Sequence, residues 1–410
     1  MTTQRFRFGR LWLASVSSNL GDGLVLAAFP LLAANFTDDP IAISLLTATM
    51  GLPWLVLGPI SGAIVDRYDR RLLMVAFDTV RATCLALFAL ALVAGTESLW
   101  LLYVVVFLIA AGETVVDTSA QSLLPALIPK DKLDRANGQL FSTMTIANRF
   151  IGPPLGGLLF GVSVVAPVIA DSTSFAIAAL LIFSLSGRYS ASSKDERALQ
   201  SVTASVVEGL RWLWSHRAIR TFAIGAALLN IGIVAGEAIL VLFATEQLSL
   251  GGVGFGALFA ATAAGYAMGS AIAPPIAARA NRLTIVGSSV VGIAISLGIV
   301  AVASHWAVAA SGLFGVGLAT GLWDVIAVSF RQAAVPDRLL GRIMAAYRVI
   351  AHGSIPVGAL LGGIAARIWG NRAAFWVGSG VVLLAVVFVV VNLRGVELDP
   401  AKVDDATNTG

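Results

Sequence analysis

Hydrophobic positions along the chain come in unbroken runs of about 20 residues, separated by short polar connections. They show neither the period-two alternation of strands nor the one-sided stripe of a soluble helix. Twelve runs are long enough to cross about 30 Å of hydrocarbon as helices: 9–36, 42–64, 72–95, 98–127, 138–161, 164–187, 219–245, 253–278, 284–303, 306–331, 341–366 and 372–393. The longest hydrophilic stretch, 188–218, lies between the sixth and seventh runs. It predicts an all-α integral membrane protein of two six-helix bundles, 1–187 and 219–393, with a linker at 188–218 and a polar tail at 394–410. Within the linker, Val206 to Trp214 mixes apolar, aromatic and basic residues, the pattern of a short helix lying on a membrane surface.

Composition agrees. The 410 residues are 58% hydrophobic and 12% charged, with a mean hydropathy of +0.88, against about 25% charged in soluble domains. Too few polar residues exist to clothe a soluble enzyme or a nucleic-acid-binding protein. The formal charge of +4 follows from where the cations sit. Of 27 Lys and Arg, 22 fall at the amino terminus, in alternate connections, in the linker and in the tail. Only Arg367 and Arg372 fall on the opposite side, and Arg81, Arg149 and Arg348 lie inside runs. Cations are retained on the cytoplasmic side, so the asymmetry predicts a multi-pass inner-membrane protein with both termini cytoplasmic. The single cysteine, Cys84, excludes internal disulfides and Cys-rich metal sites. His216, His305 and His352 are too scattered to hold a metal, and no phosphate-cradling G-x-x-x-x-G-K-[ST] occurs. No cofactor is expected.

An internal repeat is visible. Run five carries Gly152-Pro153-Pro154-Leu155-Gly156-Gly157, and run eleven carries Pro356-Val357-Gly358 followed by Gly362-Gly363. Small residues at this density let helices approach closely, and prolines bend them.

After run two comes Gly62-Ala63-Ile64-Val65-Asp66-Arg67-Tyr68-Asp69-Arg70-Arg71. It resembles the G-x-x-x-D-R-x-G-R-R/K signature loop of the major facilitator superfamily, with Asp69 in place of the usual glycine. The Gly-Pro-rich fifth run is similar to the motif of drug-exporting antiporters. Asn19-Leu20-Gly21-Asp22-Gly23 and Glu208-Gly209-Leu210-Arg211 resemble the macrolide, multidrug and enterobactin exporter branch. The resemblance implies a twelve-helix secondary transporter with a latch formed by Asp66, Arg67, Arg70 and Arg71. It also implies proton-coupled export of amphipathic organic molecules by a monomer surrounded by membrane lipid, without nucleic acid and without enzymatic turnover. Run four lacks the arginine on which many drug–proton antiporters rely. Export or symport of one dedicated metabolite such as a siderophore, and a membrane-embedded enzyme, stay open as alternatives.

Ionisable side chains inside hydrocarbon cost at least about 2.5–3.5 kcal/mol each, so each one marks a candidate site. Asp22 and Glu113 are the leading proton-coupling or substrate carboxylates. Asp117 lies one turn from Glu113, and Arg149 is a candidate partner for both Asp22 and Glu113. His352 is a candidate proton relay. Asp171, Glu237, Asp324 and Arg348 read as gate or rim pairs, and Asp78 with Arg81 as a structural charge network tied to the signature loop. Each also admits a plain structural reading as an interhelical ion pair or a hydrogen-bonded core group. Trp54, Phe141, Tyr266, Trp323 and Tyr347 are candidates to line an apolar cavity.

Overall fold

The computed structural model describes residues 2–129, 132–187, 189, 208–396 and 398. Lys130, most of the linker (Val206 and Val207 included) and nearly all of the tail lie outside the described residues. The rest is helical: α1 (Thr2–Phe36), α2 (Pro40–Arg67), α3 (Arg70–Val93), α4 (Leu99–Leu127), α5 (Leu133–Thr145), α6 (Gly152–Val162) and α7 (Ala166–Phe183), then α8 over residues 208–215. There follow α9 (Arg217–Glu237), the single turn α10 (Leu240–Leu242), α11 (Gly252–Ala277), α12 (Arg282–Val302), α13 (Trp306–Ala334), α14 (Asp337–Gly353), α15 (Ile355–Trp369) and α16 (Asn371–Leu393). Among the described residues, eleven helices are long and apolar enough to cross a membrane.

The fifth expected run is not among the eleven. It is helical from 133 to 162 but changes register between α5 and α6 through a π-helix, Ile146–Ile151. Pro153 and Pro154 explain the slip. Neither has an N–H, so the carbonyls of Arg149 and Phe150 lose their partners four residues on, and the ladder rearranges just upstream. Run eleven shows the same effect. Pro356 cannot bond to the carbonyl of His352, and the helix is interrupted at Ser354 between α14 and α15. In run seven, α9 ends at Glu237, and the chain resumes through α10 and a second π-helix, Phe243–Gln247.

The chain divides into two compact units. The first comprises residues 1–38, 52–202 and 250–260, and the second 39–51, 203–249 and 261–410. The core of the first unit includes Leu11, Met74, Leu123, Leu124 and Ile182. Glycines set the helix spacing in both. In the first unit, a methyl group at Gly156 would run into the backbone of Leu24 on α1. In the second, one at Gly362 would run into the backbone of Ala235 on α9. The two Gly-Pro motifs thus do the same job, each drawing its helix against a long helix of its own unit, α1 in the first and α9 in the second. Along α11 and α13, Gly265, Gly269, Gly317 and Gly321 let the two backbones touch in the small-xxx-small manner.

At the signature loop, Asp69 is the N-cap of α3. Its Oδ1 accepts from the backbone N–H groups of Arg71 (2.9 Å) and Leu72 (3.3 Å), and its Oδ2 from Tyr189 N–H (2.9 Å). Its φ of −66° needs no glycine, which accounts for the departure from the family pattern. Arg71 donates to the carbonyls of Ile182 (3.3 Å) and Phe183 (2.5 Å), and Arg10 to that of Ser184 (2.5 Å). Two cations thereby hold the negative end of α7. Arg70 donates to Ser122 O at 3.0 Å, while Asp66 and Arg67 are exposed. In the second unit, α8 rests on α14: a side chain at Gly209 would meet Arg342 O at 2.5 Å. Glu208 and Arg342 pair at 2.5 Å beside it.

Candidate functional site

The first unit holds a buried cluster of charges drawn from four helices. At its centre is Arg81 of α3, 1% exposed. Its guanidinium forms an ion pair with Asp22 of α1 and a second with Asp78, one turn back on α3, at 3.3 Å. It also donates to Ser18 Oγ on α1 (3.3 Å) and lies 3.6 Å from the centroid of the Phe175 ring on α7. Asp171, one turn before Phe175, is wholly buried. Its Oδ1 accepts from Ser174 Oγ at 3.2 Å, and its Oδ2 has no hydrogen-bond partner. Glu113 and Asp117 on α4 are half-buried and close enough to interact electrostatically with Asp22 and Arg81.

Glycines open the space for this arrangement. A methyl group at Gly112 would lie 2.7 Å from Arg81 Cδ, so this glycine is the channel along which the arginine side chain crosses α4. A methyl group at Gly21 would overlap Asp171 Oδ1 and Ser174 Oγ, and one at Gly23 would sit 2.6 Å from Asn148 O in the π-helix. The two glycines flanking Asp22 therefore seat α1 between α7 and the π-helix, and the carboxylate between them is pointed at α3. Ser17 Oγ donates to Ser174 O (2.8 Å) and Ser172 Oγ to Ala82 O (2.7 Å), fixing α7 against α1 and α3.

Placement differs from the sequence reading in three respects. Arg81, not Arg149, is the partner of Asp22: α1 and α3 both pack on α7 and on α4, and the long Arg81 side chain crosses from α3 to reach the carboxylate. Arg149 is exposed in the π-helix and is not among the charges acting on Asp22 or Glu113. Asp78 and Arg81 join the Asp22 group, while Arg70 and Arg71 of the signature loop bond to other partners. Asp171, expected at a gate or rim, sits inside the cluster at 0% exposure.

In the second unit, Asp324 of α13 accepts a hydrogen bond from Tyr266 of α11 at 3.1 Å. Two turns further along α13, Arg331 is 4% exposed and lies 3.8 Å from the centroid of the Tyr347 ring on α14. Its Nε and one terminal nitrogen have no hydrogen-bond partner. Arg331 stands at the last position of the run 306–331, but α13 extends past it to Ala334 and buries it. Glu237 is exposed at the end of α9, and Arg348 and His352 are exposed on α14. Trp323 is 1% exposed and packs on Phe222 (5.5 Å between centroids), so it is core rather than cavity lining. The residues missed in the sequence are Ser18, Gly112, Ser174 and Phe175. Only the adjacency of Gly112 to Glu113, and of Ser174 and Phe175 to Asp171, hinted at them. Among the described residues, no group of His, Cys, Asp and Glu could hold a metal ion.

Comparison with known proteins bears on what such a cluster serves. A family model described as transmembrane secretion effector matches residues 2–408. The multidrug efflux pump Tap of Mycolicibacterium fortuitum is 27% identical over 415 residues, 95% of this chain and 96% of that protein. Among solved structures, the nucleoside transporter NupG superposes with a TM-score of 0.75 at 10% identity, covering 94% of this chain and 99% of that one. A bacterial homologue of the iron transporter ferroportin gives 0.73 at 15% identity, covering 95% and 98%. At these identities the two structures speak to the fold, and the fold is theirs.

Proposed function

The chain belongs to the transmembrane secretion effector family of major facilitator transporters, and from that premise we propose that it exports amphipathic organic molecules in exchange for protons. In this reading it is a twelve-crossing secondary transporter of the bacterial plasma membrane, acting as a monomer with both termini in the cytoplasm. The halves are 1–187 and 219–393, joined by the linker 188–218.

The observation that carries the reading is the charge count around Arg81. Five carboxyl groups, those of Asp22, Asp78, Glu113, Asp117 and Asp171, lie within electrostatic reach of one guanidinium. Five ionised carboxylates beside one cation would leave a charge of −4 inside helices that cross hydrocarbon. An isolated buried charge costs several kcal/mol, so the cluster shares protons. Such a group can take up a proton in one conformation and yield it in another, when a helix carrying one of its members shifts. Asp22 is the member best placed to act, since α1 contributes it alone between two glycines. Glu113 and Asp117 are the half-buried members, both on α4. The resemblance to Tap over nearly the whole chain supports a drug-like substrate class.

Inside-out vesicles carrying an energised proton gradient and a pH-sensitive dye provide the test, with a panel of lipophilic drugs. Drug-evoked proton release by the normal protein, lost in Asp22→Asn and Glu113→Gln, is expected. No compound moving protons in vesicles that contain folded protein would refute it. A second reading, export of one dedicated anionic metabolite, draws on Arg331, a buried cation with unused donors. It predicts that organic anions, and not lipophilic cations, release the gradient.

A further inference from the structure

Outside the charge clusters, one concavity in the second unit has a built character. It is a groove of about 340 Å³ between α12 and α16, walled by Ile295, Gly298, Ile299, Val302, Trp376 and Leu383. Five of these side chains are between a third and two thirds exposed. The one polar side chain in its floor, Ser379, donates to Ala294 O at 2.8 Å and offers nothing to a ligand. Gly298 keeps the groove open, because a side chain there would extend beside the Trp376 ring, whose nearest atom is 3.5 Å from the Cβ position.

The groove has a charged end. Positions 372, 376, 379 and 383 form one stripe of α16, which puts Arg372 directly beyond the groove toward the start of that helix. Its guanidinium spans to the end of α12, donating to Ala301 O at 2.9 Å and to Ser304 Oγ at 3.3 Å. A guanidinium has five N–H donors, so three stay available. Among the described residues no carboxylate lies within ion-pair distance of Arg372, whereas Arg367, the other cation on this side, pairs with Asp39 at 3.6 Å.

We propose that this groove and Arg372 form a binding site for one anionic phospholipid, with an acyl chain between α12 and α16 and the phosphate on the Arg372 guanidinium. The chemistry favours that occupant over a transported drug. Both helices cross the membrane, so the groove opens to lipid. Its walls are apolar along their length, and its only charge is a fork-shaped cation at the depth where headgroups begin, matched to phosphate oxygens. Its volume is at the small end of ligand pockets, which suits a single chain. On the orientation proposed above, this is the outer leaflet.

The test is native mass spectrometry of the full-length protein in detergent, titrated with phosphatidylglycerol or phosphatidylcholine of identical acyl chains. A preference for phosphatidylglycerol is expected, lost in Arg372→Gln, partly kept in Arg372→Lys, which retains the charge without the fork, and weakened by raised salt. Gly298→Leu, which fills the groove, should reduce retention of phosphatidylglycerol while leaving thermal stability in lipid-free detergent unchanged. Equal retention of the two lipids by the normal protein overturns the proposal, whether or not any variant folds. So does a preference untouched by both Arg372→Gln and Gly298→Leu, or displacement of bound phosphatidylglycerol by a lipophilic drug that binds equally well to Arg372→Gln.

Discussion

Replacing Arg81 by Gln removes the only described cation at the centre of the charge cluster and leaves a shorter, neutral amide with two N–H donors in place of five. Asp22 and Asp78, 7% and 1% exposed, then lose their ion-pair partner, and Asp171 loses the positive field beside it. Removing one side of a buried ion pair costs about 3–5 kcal/mol, and here two pairs lose the same partner. Asp22→Asn is milder. Arg81 keeps Asp78 at 3.3 Å and the face of Phe175, so the expected cost is that of a hydrogen bond to a charged group, about 1.5–3 kcal/mol. The reverse ranking would hold if Arg81 were an incidental core residue. The double variant Asp22→Asn/Arg81→Gln removes one unpaired carboxylate along with the cation and should recover part of the loss, giving non-additivity of at least about 0.5 kcal/mol. Cys84 supplies the assay. It is the only cysteine, half-buried on α3 three residues past Arg81, so its reaction with a fluorogenic maleimide during a thermal ramp in detergent reports opening of this helix. The expected order of midpoints is normal protein, Asp22→Asn, the double variant, then Arg81→Gln. An Arg81→Gln midpoint equal to that of the normal protein, or strictly additive costs, would refute the account of the cluster.

Other expectations concern the packing that builds the site. Gly112→Ala places a methyl group 2.7 Å from Arg81 Cδ, so it should lower the maleimide midpoint and impair drug export, whereas Ala at Gly161, which has open space around it, should do neither. Asp69→Ala removes an N-cap and the bond to Tyr189 N–H. It should cost about 0.5–2 kcal/mol in thermal unfolding, with Asp69→Asn recovering most of it. Gly156→Leu should separate α6 from α1, and Gly362→Leu should separate α15 from α9. Expression of folded protein, followed by size-exclusion profile, should fall in both, and a normal profile for either would contradict the matching role of the two motifs.

Much of this architecture is legible in the sequence because hydrocarbon imposes one rule, that every backbone polar group be bonded within its own helix. Apolar runs of sufficient length therefore give helices within a few residues of their bounds, as for 372–393 against α16. Runs five and eleven depart because proline acts on the hydrogen-bond ladder upstream of itself, at Ile146–Ile151 and at Ser354, which hydropathy does not register. The candidate charges are also visible, since Asp22, Arg81, Glu113 and Asp171 stand out in apolar surroundings. What the sequence does not reveal is the pairing. Asp22 and Arg81 are 59 positions apart, and the choice of Arg81 over Arg149 depends on which face of α1 turns Asp22 toward the guanidinium that reaches across from α3. That face is set by Gly21 and Gly23 packing against α7 and the π-helix. Asp69 shows the complementary case: a family pattern suggests a strained turn, whereas its carboxylate makes the residue a helix cap with ordinary backbone angles.

The central claim, that the carboxyl cluster around Arg81 holds protons, is tested most directly by infrared spectroscopy of the purified protein in lipid. The carbonyl stretch of protonated carboxylic acids would be followed as pH is raised from acid to alkaline. The account predicts a protonated-carboxyl band persisting at neutral pH, reduced in Asp171→Asn and in Glu113→Gln. Absence of that band at neutral pH in the normal protein would contradict it.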